Sequence, residues 1–229
     1  MSPRVSVAAA RRTRAAIVDR GVEVASREGL EGLTIGRLAD DLAMSKSGLL
    51  GHFGSKEKLQ LVVLDRAAEI FWREVWEPVA DRPAGLARLR AVCGSWIGYL
   101  ERGVFPGGCF FIAATAEFDD RPGPVRDAVA EYARRWQREL SWQIQRAVTA
   151  GELDPRTDPD QVVFELIGIV TAVNQTRQLH RDPAAPQRGR RAVDRLLDHF
   201  SAPAGAGAPA GTVGPPSGPT DPAVGGAPG

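Results

Sequence analysis

Two cysteines, Cys93 and Cys109, are all that 229 residues contain, which excludes a disulfide framework and a thiolate zinc cluster. Core thiols are the ordinary reading of the pair, and a redox-sensing pair is its alternative. Three histidines, His52, His180 and His199, are scattered, so no two share metal-ligand spacing. There is no Gly-x-Ser-x-Gly elbow and no phosphate loop. An enzyme, a metal and a cofactor are therefore not expected. No apolar run approaches the roughly 18 residues of a membrane helix, and the basic N-terminus lacks the apolar core of a secretory leader. No membrane partner is expected, and a cytoplasmic location follows. Alternation of apolar and polar residues never lasts for a full strand, and no internal repeat is visible. From Ala202 to Gly229 the chain has one charged residue, Asp221, and no aromatic; a segment so poor in apolar surface is expected to be disordered.

What is present is helical periodicity. Thr34 is a good N-cap, and Ile35, Leu38, Ala39 and Leu42 then form one apolar stripe of about two turns. After a turn at Ala43 and Met44, Ser45 caps a second short helix that buries Leu49 and Phe53. Lys46, Ser47, Leu50 and His52 consequently face outward, with Arg37 on the outer face of the first helix. Two short helices joined by a tight turn, the second polar-faced, suit the major groove of duplex DNA. Before them, Arg11 to Gly29 reads as a helix, with Ala15, Ile17, Val18, Val22, Ala25 and Glu28 on one side and Gly29 as its C-cap. Residues 1–60 hold ten Lys or Arg against seven Asp or Glu, while the whole chain is only +1. The basic excess thus lies where the helix pair lies.

The string Leu33-Thr-Ile-x-x-Leu-Ala, then Ser45-Lys46, then Leu49-x-x-His52-Phe53-x-x-Lys56-Glu57-x-Leu59 resembles the DNA-binding domain of the TetR family of transcriptional regulators. The resemblance implies a dimeric repressor, released from a palindromic DNA operator by a small-molecule ligand. Candidate DNA-binding residues are Thr34, Arg37, Ser45, Lys46, Ser47, Gly48, Leu50, Gly51, His52 and Lys56. Leu50 and Gly51 stand where the family usually has aromatics, most often a tyrosine. An activator, or an adaptor that keeps the fold without binding DNA, is the alternative that this departure raises.

The rest of the chain also reads as helices, so the expected fold is all-α: an N-terminal three-helix helix-turn-helix domain and a larger helical regulatory and dimerisation domain. A helix capped by Ser55 runs to Pro78; Pro83–Gly103, Cys109–Phe118, Val125–Ala150, a helix opened by Asp158-Pro159, and Gln187–Phe200 follow. Cys109–Phe118 is so apolar that burial on most sides is expected. The expected divisions are 1–10, a flexible basic N-terminus; 11–60, DNA binding; 61–201, ligand binding and dimerisation; and 202–229, the tail. Two apolar-faced helices within 158–200 match the elements through which the family pairs two copies into a homodimer. Aromatics concentrate between the connecting and dimerisation helices, where the family keeps its pocket: Trp72, Trp76, Trp96, Tyr99, Phe110, Phe111, Trp136 and Trp142. Of these, Trp76, Trp96, Phe110, Phe111 and Trp136 are the ligand candidates, with Asn174, Gln175 and Arg177 as polar partners for the ligand or as residues of the dimer seam.

Overall fold

The computed structural model describes residues 3–201, with side chains from residue 7 onward. The expected disordered tail at 202–229 lies outside the described residues. Within them the fold is nine α-helices and no strand; a lone bridge pairs Leu153 with Ser201.

The first helix, α1 (Pro3–Gly32), starts well before Arg11, so the stretch expected to be flexible is helical from Pro3. Ala8, Ala9 and Ala10 favour this, alanine being the best helix former. Ile17, Val18, Val22, Val24 and Ala25 form its core stripe. Ala15 and Glu28, expected on that stripe, are exposed: little packs over the N-terminal half of α1, and Glu28 pairs instead with Arg37 at 3.5 Å. At Gly29 the helical path breaks, with φ 81° and ψ 166°, a conformation that only glycine adopts cheaply. The pair α2 (Ile35–Asp41) and α3 (Lys46–Phe53) crosses α1. Leu33, Leu38 and Leu49, none exposed, knit the three into one core with Ile17.

Helix α4 (Lys56–Phe71) leaves this domain without a break at residues 60 and 61. The expected continuation to Pro78 does not hold as α-helix. The chain widens into a π turn at Trp72–Trp76 and tightens into a 3₁₀ turn at Glu77–Val79. Then come α5 (Leu86–Arg102), α6 (Phe110–Phe118), α7 (Pro124–Thr149), α8 (Pro159–His180) and α9 (Ala185–His199). Asp158 caps α8 by accepting from the N–H groups of Asp160 and Gln161, with proline at the first helical position. The expectation that α6 is buried on most sides is corrected. Only Phe110, Ala114 and Phe118 are buried, a single i, i+4, i+8 stripe, while Ala113, Thr115 and Ala116 are exposed. Small side chains raise hydropathy without demanding burial, which is why composition misled there.

Three buried polar side chains each satisfy a backbone group at a loop or helix end. Gln60 donates to Leu30 O at 2.7 Å, Gln143 accepts from Gly85 N at 3.1 Å, and Asn174 accepts from Cys109 N at 2.8 Å. Such pairing removes most of the desolvation cost of a polar group in a core.

Candidate DNA-binding face and ligand cavity

Local chemistry builds the helix-turn-helix as its residues predict. Thr34 Oγ1 accepts from Arg37 N at 3.1 Å and Ser45 Oγ from Gly48 N at 3.0 Å, so both hydroxyls act as caps. Between the helices Ala43 takes φ 51°, and Met44 N–H closes the turn on Ala39 O at 2.9 Å. Leu49 and Phe53 turn inward. Lys46, Ser47, Gly48, Leu50 and Gly51 are exposed on the opposite face and His52 is half-buried beside Phe53. Leu50 is 39% exposed, and nothing lies within 4 Å of where a side chain at Gly51 would begin.

The positive charges of this domain are not equivalent. Among the described residues Arg11, Arg12 and Lys46 have no acidic partner, and all three are exposed. Lys56 Nζ donates to both Glu31 O and Glu31 Oε2 at 2.9 Å; this ammonium holds the Glu31 carboxyl below the usual range. Arg37 lies 3.7 Å from Asp41 as well as near Glu28. Arg14 stacks on the Phe53 ring at 4.9 Å. An exposed polar helix beside unpaired cations can meet base edges and phosphates.

A cavity of about 780 Å³ opens among α4, α5, α6, α7 and α8. Phe71 anchors its aromatic wall, edge-on to Trp96, Phe111 and Trp136 at 5.8, 5.7 and 5.0 Å between ring centres. Tyr132 donates its hydroxyl to Asp65 at 2.8 Å; burial, and then this carboxylate, push that hydroxyl up to about 12. Of the five ligand candidates, Trp96, Phe111 and Trp136 line the cavity. Trp76 and Phe110 do not, and both are corrected. Trp76 stacks on Trp72 with centres 5.0 Å apart, and the Arg88 guanidinium lies 5.8 Å from its ring centre. Phe110 points into the core, since neighbouring positions on α6 face about 100° apart. Trp72, one of the aromatics the sequence placed near the pocket, also lines the cavity, while Phe71, Tyr132, Asp65 and Arg135 are lining residues that sequence reasoning left out. The i, i+4 pairing of Tyr132 with Trp136 was a usable signal.

Other polar candidates are occupied elsewhere. Asn174 holds Cys109 N, and Arg177 donates to Glu101 O at 2.7 Å; Gln175 is exposed and does not line the cavity. Cys93 and Cys109 are both buried, and burial pushes the Cys93 thiol up to about 12. A thiol so protonated is a poor redox sensor.

Helix α6 touches both sites. Phe111, Ile112 and Thr115 line the cavity, while Glu117 accepts from Leu30 N and Glu31 N, each at 2.8 Å, at the end of α1. Just before α6, Gly107 N donates to Ser26 Oγ at 3.0 Å. A Cβ on Gly107 would lie 1.6 Å from Ser26 O, so only glycine permits this approach.

Comparison with known proteins agrees with this geometry. Residues 17–62 match the model for bacterial regulatory proteins of the tetR family, and residues 85–193 match the tetracyclin repressor-like C-terminal domain. The chain is 27% identical over 172 residues to the HTH-type transcriptional regulator TcmR of Streptomyces glaucescens, covering 71% of this chain and 72% of that one. A TetR transcriptional regulator from Chloroflexus aurantiacus superposes with a TM-score of 0.77 at 21% identity, covering 84% and 97% of the two chains. The structure of AibR in complex with isovaleryl coenzyme A and operator DNA superposes at 0.64 with 22% identity, covering 83% and 98%. An exposed, doubly capped helix pair, a helical domain with an aromatic cavity behind it, and family models matching both parts lead to one conclusion: the chain belongs to the TetR family of DNA-binding transcriptional regulators.

Proposed function

We propose that this chain is a homodimeric repressor that leaves a palindromic operator when a small molecule fills the cavity between α4 and α8. The observation that carries the reading is the double role of α6, cavity wall through Phe111, Ile112 and Thr115 and clamp on α1 through Glu117. A ligand that displaces α6 must disturb the end of α1, against which α4 is also held through Gln60 and Lys56. The coupling such a device transmits is typically about 1 to 3 kcal/mol.

In this reading residues 11–60 bind DNA and 61–201 bind ligand and partner. Lys46 and the α1 arginines neutralise phosphates, and Ser47, Gly48, Leu50, Gly51 and His52 approach the groove. Thr34 and Ser45 hold the helix starts that face the backbone. Arg37 and Lys56, already engaged with Glu28, Asp41 and Glu31, contribute less. Two copies join through α8 and α9, where Phe164 and Leu179 are 74% and 68% exposed in the single chain. Exposed aromatic and aliphatic groups along one helix mark an association surface. The AibR neighbour, similar in fold, is seen in complex with isovaleryl coenzyme A and operator DNA, the two kinds of partner proposed here.

The experiment is a titration of the chain against duplex fragments flanking its own gene, with random duplex as competitor. Selective binding that is relieved by a compound found to quench its tryptophans is the expected result. Equal affinity for random duplex overturns the repressor reading.

A further inference from the structure

The cavity's charge stands against its size and its aromatic wall. Asp65, Glu69 and Glu77 all line it, and Arg135 is the one basic residue that does so among the described residues. Glu69 is shared with Arg66 at 3.0 Å. Asp65 and Glu77 have no basic partner among the described residues; Asp65 accepts only the Tyr132 hydroxyl. Arg135 for its part rests over the Trp72 ring, 5.2 Å from its centre, so this wall already holds one cation on an indole face.

We propose that the cavity takes a flat organic monocation, its ring system among Phe71, Trp96, Phe111 and Trp136 and its positive charge toward Asp65, beside the Tyr132 hydroxyl, with the Glu77 carboxylate adding to the negative potential from farther along the same wall. The assignment rests on the cavity being the ligand site of a releasable repressor. Its physical basis is the attraction of a cation both to a carboxylate and to the negative face of an aromatic ring, which grows as water is excluded. An anionic ligand of the same shape would meet three carboxylates with a single guanidinium to offset them.

The test uses three compounds with one bicyclic shape and three charges: 1-methylquinolinium, 1-methylnaphthalene and 1-naphthoate. Binding to the full chain is read by tryptophan quenching, and operator affinity is measured separately in the same samples. The quinolinium is expected to bind at least tenfold more tightly than the naphthalene, with the naphthoate weakest. In the double variant Asp65→Asn/Glu77→Gln the preference should fall to near one. Equal binding of the neutral compound, tighter binding of the naphthoate, no binding of any of the three, or a preference that survives in the double variant overturns the assignment. The comparison on unaltered protein decides the matter even where the variant folds poorly. A quinolinium that binds preferentially yet leaves operator affinity unchanged keeps the ligand class and overturns the release reading instead.

Discussion

Lys46 and Lys56 bear the same charge on neighbouring elements, but only Lys46 is free of an acidic partner among the described residues. Lys46→Ala should therefore weaken operator binding and lower the slope of log affinity against log salt by about one, as one phosphate contact is lost. Lys56→Ala should leave that slope nearly unchanged and act on stability. The Lys56 ammonium depresses the Glu31 carboxyl. The stabilisation is accordingly complete above the ordinary glutamate range, near 4.3, and vanishes as pH falls through the lowered folded value. Both side chains are about two-fifths exposed, 38% and 42%, which limits the contribution to at most about 1 kcal/mol. Thermal melts of Lys56→Ala should differ from the parent more at pH 7 than at pH 3, where the bond to the Glu31 carbonyl outlasts the ion pair. Gly51→Ala places a methyl in open space on α3 and removes the entropic penalty of glycine in a helix, so melts should show stabilisation of about 0.5 to 1 kcal/mol.

At the scale of elements, α6 carries the argument. Glu117→Ala leaves the N–H groups of Leu30 and Glu31 without their acceptor, at a cost of about 1 to 3 kcal/mol if no water replaces it. Denaturant titration checks that figure. The same variant should uncouple the two sites: a compound that releases operator from the parent should still bind Glu117→Ala but shift its operator affinity less. Unchanged release in a folded Glu117→Ala protein would show that α4 alone transmits the signal.

For the molecule as a whole the decisive surface is α8. Phe164 and Leu179 protrude, and Trp142 on α7 is 45% exposed across the shallow groove that Phe164 lines. Phe164→Glu should fold normally, because its side chain has little to lose in the single chain, and sediment as a monomer with poor operator affinity. Val170→Asp asks a different question. Val170 is wholly buried within its own subunit, so a charge there carries the cost of an unpaired ion in a core and reports on folding rather than on assembly. A Phe164→Glu protein that stays dimeric overturns the α8 interface.

The sequence by itself determined whatever depends on short range. Thr34, Ser45, Ser55 and Asp158 announce four helix starts because a cap is made within three residues. The inward face of α3 follows from Leu49 and Phe53 being one turn apart, and the outward face follows from it. Most of the candidate DNA-binding face, as an exposed helix surface, was legible for that reason. Only the tertiary structure decided the rest. That Lys56 is spent on Glu31 and that Glu117 seizes the end of α1 depends on contacts between residues 25 and 86 or 87 positions apart, which no local pattern encodes. Likewise the choice of Phe111 over Phe110 turned on which side of α6 the core lay. Periodicity shows that a helix has an apolar face; which part meets a cavity, a core or a second subunit is settled by what packs against it.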